Sequence, residues 1–374
     1  MVTSEAHPAP AVSAEELDGL RQGLTGLCYR MLGDAHEAED AVQETLVRLW
    51  RSAGSFDPAR GSLRSWAYAA ASRVCIDLHR RVQRRALPMD LTGPSSPETP
   101  LAEPEPERWV TPIADSRSVD PAERAVGRES LRVAFVLALQ RLSAQQRAVL
   151  LLRDVYRMSA AETGEALGLS ASATHSTLRR ARQALRADAG AEAGDGAGAD
   201  AGPGDGAGAA PGTGAGHAPG TGAGHAPGVG AGAAPGAAAR LPSGAGADAA
   251  PVDEALLARY QAAFEAHDVD LMRAVLHEDV RTSMPPFSWW LDGRAHVLEA
   301  FATPGGCQGH RLVPFAANGT TMFGQYRPEG AGWVPFAVLG LETDAGRVRR
   351  ATTWLDAADR FAELGLPERL GPRS

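Results

Sequence analysis

The chain has 374 residues, about twice the length of a typical domain, and an ordinary soluble-protein composition, which favours two or three folded units. No apolar run approaches the roughly 18 residues that a membrane span needs, so no membrane partner is expected. The net charge of −8 argues against nucleic acid, yet residues 141–187 carry eight arginines against three acidic residues. This local excess of positive charge keeps a nucleic-acid partner open.

The N-terminus and the cysteines bear on where the protein works. Met1 to Pro10 has no basic segment followed by an apolar one, so no secretory signal is predicted. The three cysteines are widely separated, which argues against a disulfide framework and a Cys-x-x-Cys metal site. We therefore predict a cytoplasmic protein without a metal or other cofactor.

Residues 13–85 are predicted to form three helices. Ser13 and Glu16 have the spacing of a capping box, and leucines follow every three or four residues. The second helix is predicted to turn Trp50 inward and a carboxylate-rich face outward. The third carries an arginine stripe, which fits a solvated helix face as well as a nucleic-acid surface. The residues singled out are Asp40, Gln43 and Glu44 in the second helix, and Arg60, Arg64, Arg73, Arg80 and Arg81 in and around the third.

Residues 86–119 interrupt the helical pattern. They hold seven prolines and six carboxylates against two arginines, without a 3.6-residue period of apolar side chains. This composition predicts an acidic, proline-rich linker.

Residues 120–187 contain a sharper signal. Ser143 and Ser159 each stand three residues before a glutamine or glutamate, and each opens a predicted helix. A turn at Gly168 precedes a further helix that Ser170 caps, which is the pattern of a helix-turn-helix. A generic helical hairpin with a basic face is the alternative. The outer face of the last helix suits the base edges and phosphates of a major groove and carries Ser172, His175, Ser176, Arg179 and Arg182.

Together these two units resemble the extracytoplasmic-function (ECF) group of bacterial sigma-70 factors, the promoter-recognition subunits of RNA polymerase. The resemblance to sigma region 2 lies in Gly33-Asp-Ala-His-Glu-Ala-Glu-Asp-Ala-Val-Gln-Glu44 and Phe56-Asp-Pro-Ala-Arg-Gly-Ser-Leu-Arg-Ser-Trp66. The resemblance to region 4 lies in Leu142-Ser-Ala-Gln-Gln-Arg147, Leu167-Gly-Leu-Ser170 and Arg179-Arg-Ala-Arg182.

This resemblance implies a partner for each set of residues. The face with Asp40, Gln43 and Glu44 would bind the β′ clamp helices of core RNA polymerase. The β flap of the polymerase would be a second contact of the chain. The arginines at positions 60–81 would contact the −10 promoter element, and the last helix would read the −35 element. The segment 86–119 would thread through the polymerase between the two domains.

Residues 188–250 are predicted to be a disordered linker. They contain 20 glycines and 23 alanines, and their only large aliphatic residues are Val229 and Leu241. Such a segment cannot bury enough apolar surface to order its backbone. A flexible chain of this length has a root-mean-square span of about 45 Å.

Residues 251–374 are predicted to form an α+β domain with helices first and strands later. Apolar stripes predict two helices between 253 and 276. Strand-like runs cover 310–317, 320–326, 333–342 and 347–355. Asn318-Gly319 predicts a tight hairpin turn between the first two of these strands. The expected sheet is antiparallel and curved over the helices.

Three motifs of this last unit resemble the cone-shaped SnoaL-like (NTF2-like) domain that is fused to some ECF sigma factors. They are Met284-Pro-Pro-Phe287, Trp289-Trp290-Leu-Asp-Gly-Arg294 and Arg311-Leu-Val-Pro-Phe315. Relatives of this domain enclose a pocket, and some are isomerases or cyclases. A candidate pocket for a small ligand is placed at Trp289, Asp292 and Arg294. Candidate acid or base groups for an enzyme are His267, His277, Asp279, Asp292 and His310, although caps and turns explain most of them.

The expected fold class is multidomain. Two all-α helical domains, sigma region 2 at 13–85 and the helix-turn-helix region 4 at 120–187, are followed by an α+β cone-shaped SnoaL-like domain at 251–374. The expected function is promoter-specific transcription initiation with core RNA polymerase and promoter DNA, and the last domain is expected to regulate it in cis without being an enzyme. Two alternatives stay open: a bifunctional protein whose last domain is an isomerase- or cyclase-like enzyme, and a helix-turn-helix regulator that works without polymerase.

Overall fold

The computed structural model of the protein describes residues 12–79, 85–105, 109–120, 128–194, 253–303 and 305–371. A helical half extends to Gly194, and a sheet-containing half begins at Asp253. The predicted fold class is confirmed. Arg80, Arg81 and most of the predicted 188–250 linker lie outside the described residues. None of the described helices is long and apolar enough to cross a membrane.

Local signals set the helix ends of the first domain. The side chains of Ser13 and Asp34 accept hydrogen bonds from the backbone N–H groups of Glu16 and Glu37, and Gly33 ends the intervening helix in the left-handed conformation (φ 78°). Leucine and alanine side chains of these helices form one buried core. The helices are α1 (Ala14–Asp18), α2 (Arg21–Leu32), α3 (Ala35–Arg51) and α4 (Leu63–His79).

Trp50 is not on the inner face of α3, where the sequence pattern placed it. Its side chain is 50% exposed, whereas Leu49 beside it is buried. Each residue turns the helix by about 100°, so Trp50 follows Gln43 and Val47 on the outer face. The prediction for Trp50 was wrong because a neighbouring apolar residue already completed the buried stripe.

The second helical domain contains the predicted helix-turn-helix. Ser143 and Ser159 form the predicted capping boxes, and Gly168 makes the turn in the left-handed conformation (φ 68°). The last helix continues to Gly194, beyond the domain boundary predicted at 187. In chain order the helices are α5 (Asp115–Ser118, in the linker), α6 (Val133–Gln140), α7 (Ala144–Leu150, prolonged by π-type turns over Leu151–Val155), α8 (Ala160–Leu167) and α9 (Ala171–Gly194).

Two fully buried arginines join the helical domains. The Arg30 guanidinium of α2 donates to the hydroxyl oxygens of Ser130 (2.9 Å) and Tyr156 (2.5 Å). The Arg147 guanidinium of α7 donates to the main-chain carbonyl of Met31. The two domains are thus closed on each other through polar as well as apolar contacts.

The sheet-containing half has six strands in the order β2-β1-β6-β5-β4-β3. The predicted strands and the Asn318-Gly319 turn are confirmed, but β1 pairs with β6 in parallel, so the sheet is mixed and not purely antiparallel. No hairpin turn sets the direction of this pairing, because β1 and β6 lie far apart in the chain. The strands are β1 (Leu276–Ser283), β2 (Trp290–Asp292), β3 (Arg311–Ala317), β4 (Thr320–Glu329), β5 (Gly332–Asp344) and β6 (Arg347–Trp354). The helices are α10 (Glu254–Ala266), α11 (Val269–Val275) and α12 (Arg294–Ala302).

The two faces of the sheet have different neighbours. Phe323 and Leu339 share a core with α10–α12, whereas Met322, Val338 and Trp354 share a core with the helical half. The described part of the linker 86–119 lies along this second face. The indole N–H groups of Trp289, Trp290 and Trp354 donate to its carbonyls at Thr99 (3.2 Å), Thr92 (2.9 Å) and Val110 (2.7 Å).

Candidate functional site

The outer face of α3 combines acidic and apolar side chains. Asp40, Gln43 and Glu44 are all exposed on it, as predicted from the sequence. Val47 and Trp50 lie on the same face and are 43% and 50% exposed. An exposed tryptophan on the same helix face as carboxylates is typical of a protein-binding surface, where such a residue becomes buried on association.

The basic face of α4 contacts the helix-turn-helix. Arg73 donates from Nε to the carbonyl of Ala166 (2.6 Å) and from Nη2 to the carbonyl of Glu165 (3.2 Å), at the C-terminal end of α8. Arg60 forms an ion pair with the Glu165 carboxylate. Cations are favoured at the C-terminus of a helix, where carbonyl groups lack intrahelical partners. Two arginines predicted to contact the −10 element therefore bind the second helical domain in this closed arrangement.

Arg64 is held elsewhere on α4. Its Nη1 atom lies 2.8 Å from Oδ2 of Asp120, and its guanidinium lies over the ring of Tyr68, 5.0 Å from the centroid. Asp120 follows the linker, so this third arginine is also engaged within the chain. Arg80 and Arg81, predicted for the same role, lie outside the described residues.

The N-terminal half of α9 presents the predicted base-reading residues. Ser170 caps the helix by accepting a hydrogen bond from Ala173 N–H (3.1 Å). Four of the five predicted residues share the outer face: Ser172, His175 and Arg179 are exposed, and Ser176 is half-buried. Arg182 differs from them, because its guanidinium forms a bidentate ion pair with Asp154.

The three residues of the candidate pocket have separate partners. The indole of Trp289 donates to the linker carbonyl of Thr99, as described above. Asp292 pairs with Arg281 (3.1 Å), and Arg294 pairs with Glu278 (3.3 Å). These contacts leave the candidate pocket at Trp289, Asp292 and Arg294 a prediction.

The candidate acid and base groups are also dispersed. His310 is buried and bonds Gln325 (2.9 Å), and burial, together with the charge of Arg327, lowers the pKa of His310. His267 packs on Phe301 with ring centroids 4.5 Å apart. His277 accepts a hydrogen bond from the backbone N–H of Asp279 (3.1 Å), and Asp292 pairs with Arg281. The described residues contain no group of His, Cys, Asp or Glu side chains arranged to hold a metal ion.

Sequence reasoning missed the contact made by Asn318. The tip of the β3–β4 hairpin enters a junction between the two helical domains and the linker, and Asn318 is fully buried there. Its Nδ2 group donates to the Tyr29 hydroxyl (2.6 Å) and to the Leu131 carbonyl (3.0 Å), and its Oδ1 accepts from Ile113 N–H (3.0 Å). The Asn-Gly pair predicts the turn, but it does not predict these partners, which are distant in the chain.

A stronger sequence signal for this junction was available in the linker. Trp109 is fully buried, and its indole donates to the Pro286 carbonyl of the last domain (3.0 Å). A tryptophan is unusual in a solvated linker. Its burial offsets much of the free-energy cost of ordering the backbone, so Trp109 indicates that this part of the linker packs against a domain.

Comparison with known proteins places these elements in a family. A family model described as sigma-70 region 2 matches residues 18–85, and one described as sigma-70 region 4 matches residues 132–185. The ECF RNA polymerase sigma factor SigG of Mycobacterium tuberculosis is 34% identical over 359 residues, which cover 94% of this chain and 82% of that protein. SigJ of the same species is 32% identical over 184 residues, 49% of this chain and 53% of that protein. The crystal structure of SigJ shares the fold, with a TM-score of 0.53 at 21% identity over 95% of this chain and 100% of that chain.

Proposed function

This chain belongs to the ECF family of RNA polymerase sigma factors, and we propose that its three domains divide promoter recognition and its control among them. The first domain binds core polymerase through α3 and the −10 element through α4. The second reads the −35 element with α9. The SnoaL-like domain holds these two in the closed arrangement and regulates initiation in cis by binding, without catalysis.

The exposed face of α3 carries the polymerase assignment. A carboxylate surface with Trp50 and Val47 at one end offers an apolar anchor surrounded by charges, a combination that gives both affinity and orientation. A helix-turn-helix regulator that works without polymerase has no use for this face.

The dispersal of the acid and base candidates supports binding over catalysis in the last domain. General acid–base chemistry needs its groups within hydrogen-bond reach of one substrate position. His310 is committed to Gln325 and Asp292 to Arg281, at different places in the domain. The contacts of the domain with the linker 86–119 are consistent instead with a role in holding the helical domains closed.

Regulation in cis is supported by what the closed arrangement covers. Arg60 and Arg73 cannot contact a −10 element while they bind the end of α8. Asn318 bonds the first domain at Tyr29, the linker at Ile113 and the second domain at Leu131, so one hairpin tip ties all three parts together. Opening for promoter binding therefore requires this tip to move.

The experiment that tests the assignment is run-off transcription with core RNA polymerase and a library of genomic promoter fragments. The full-length chain should direct initiation at a defined subset of fragments that share a −10 and a −35 element. Absence of any stimulated transcript, in a preparation shown to be folded, would contradict the proposal.

The −35 assignment gives a prediction for Arg179. Arg179→Ala should reduce affinity for the promoter by about 1–3 kcal/mol and relax the preference at one base pair, if the guanidinium binds a guanine edge. The measurement is binding of the sigma–core complex to fragments that carry each base in turn across the −35 element. An unchanged base preference, with unchanged affinity, would remove Arg179 from the reading face.

A further inference from the structure

The ion pair between Arg182 and Asp154 joins the recognition helix to the helix before the helix-turn-helix. Arg182 Nε lies 2.9 Å from Oδ2 of Asp154, and Nη2 lies 2.5 Å from Oδ1. This parallel, two-bond geometry fixes the direction as well as the distance of the two groups. Asp154 belongs to the π-type turns that prolong α7.

The two partners differ in exposure. The Asp154 side chain is only 5% exposed, whereas that of Arg182 is 31% exposed. A buried carboxylate is costly unless a cation and hydrogen bonds compensate it, so Asp154 depends on the guanidinium of Arg182. Within α9, Arg182 lies one turn after the exposed Arg179 and is less exposed, because the buried residues Leu178, Ala181 and Leu185 flank it on its other side.

We propose that Arg182 is a positioning residue that sets the orientation of α9 through Asp154, and that it does not contact promoter DNA. The inference rests on the proposed reading of the −35 element by this helix. If Arg182 moved to a phosphate or a base, it would leave Asp154 buried without its partner. Arg179, whose side chain is exposed on the outer face of the same helix, remains the arginine that meets the groove.

Positioning and DNA contact predict opposite behaviour for Asp154. If Arg182 only positions the helix, loss of Asp154 also lowers promoter affinity, and the double loss is no worse than loss of Arg182 alone, because it does not leave Asp154 buried without its partner. If Arg182 binds DNA, loss of Asp154 frees the guanidinium and leaves promoter affinity unchanged or higher.

The experiment measures binding of the full-length chain, in complex with core polymerase, to promoter DNA over a range of salt concentrations. Arg182→Ala, Asp154→Ala and the double alanine variant should each lose at least about tenfold in affinity. We expect the slope of a plot of the logarithm of affinity against the logarithm of salt concentration to equal that of the wild type, because no phosphate contact is lost. Arg179→Ala serves as the comparison. It should reduce the steepness of this slope by about one if Arg179 binds a phosphate, or change a base preference if it binds a base.

A compensated variant covers the case in which Asp154→Ala fails to fold. Asp154→Leu combined with Arg182→Met replaces the pair by apolar side chains of similar size, a change that buried ion pairs often tolerate. Recovery of promoter affinity in this variant, with the wild-type salt slope, is the expected result. The positioning role would be overturned by a different result for this double variant. In that case it folds and binds core polymerase, its promoter affinity is as low as that of Arg182→Ala, and its salt slope is less steep than that of the wild type by about one. No dependence of the wild type on the −35 sequence would instead overturn the proposed function.

Discussion

Reversal of both carboxylates in Asp40→Arg, Glu44→Arg is expected to abolish binding of the full-length chain to core RNA polymerase. Both side chains are exposed on α3, so reversal leaves the core intact, and like charges at an interface suppress association by several kcal/mol. Glu44 pairs with Arg48 one turn along the helix (2.7 Å), an interaction worth only about 0.3–0.5 kcal/mol. Co-purification with core polymerase, together with a circular dichroism spectrum, measures the two effects separately.

The control reverses the same number of charges away from this face. Glu299 and Glu368 are exposed in the SnoaL-like domain, and Glu299→Arg, Glu368→Arg should leave core binding unchanged. Trp50→Ala should weaken binding without destabilising the fold, because half of the side chain is already in water. Equal core binding by the wild type and by the Asp40, Glu44 double variant would contradict the assignment of α3.

Gly319→Ala is expected to release the SnoaL-like domain from the helical half and to raise promoter binding several-fold. Gly319 has a φ of 70°, and a Cβ atom there would overlap the main-chain carbonyl of Arg128 in the second helical domain. The backbone of Arg128 cannot yield in the way a flexible side chain can, so the hairpin tip has to withdraw. Asn318 then loses its three partners, and Arg60 and Arg73 become free to bind DNA.

Gly346→Ala is the matched control for this substitution. Gly346 occupies the turn between β5 and β6 with a φ of 73°, and nothing lies within 4 Å of a Cβ atom placed there. Both alanines carry the backbone strain of a left-handed residue, about 1–2 kcal/mol, but only position 319 faces the helical domains. Hydrogen exchange at the amides of Ile113 and Asn318, which donate to each other's residues across this contact, measures the release. Promoter binding of the polymerase complex is measured on the same variants. Identical exchange and DNA binding in the two variants would mean that the hairpin tip does not hold the closed arrangement.

The features that could be predicted from the sequence are those set by neighbours in the chain. Ser143, Ser159 and Gly168 determine helix ends through their own backbone conformations and caps, and the helix-turn-helix follows from them. The Asn318-Gly319 turn is local in the same way. The strands of the last domain were found because each carries its own apolar pattern between turn residues.

The features that the sequence did not reveal depend on distant partners. The direction of β1 beside β6, the burial of Asn318 and the pairing of Arg182 with Asp154 are each decided by packing between segments far apart in the chain. Trp50 shows the limit of assigning buried residues from apolar periodicity alone. An apolar residue next to a buried stripe is easily assigned to that stripe. A helix that binds another protein must break the apolar-in pattern, so an error at Trp50 is what the proposed polymerase-binding role of α3 predicts.

The buried arginines between the helical domains have a consequence for how easily the closed arrangement opens. Closure removed water from the Arg30 guanidinium and from the Arg147 Nη1 atom that donates to Met31, and hydroxyl and carbonyl oxygens now replace that water. Separation returns water to these N–H groups, which offsets part of the cost of breaking the bonds between the domains. The proposed open form of the helical half is therefore closer in free energy to the closed form than the extent of the interface between the two domains suggests. A polymerase that prefers the open form by a few kcal/mol can then shift most of the population.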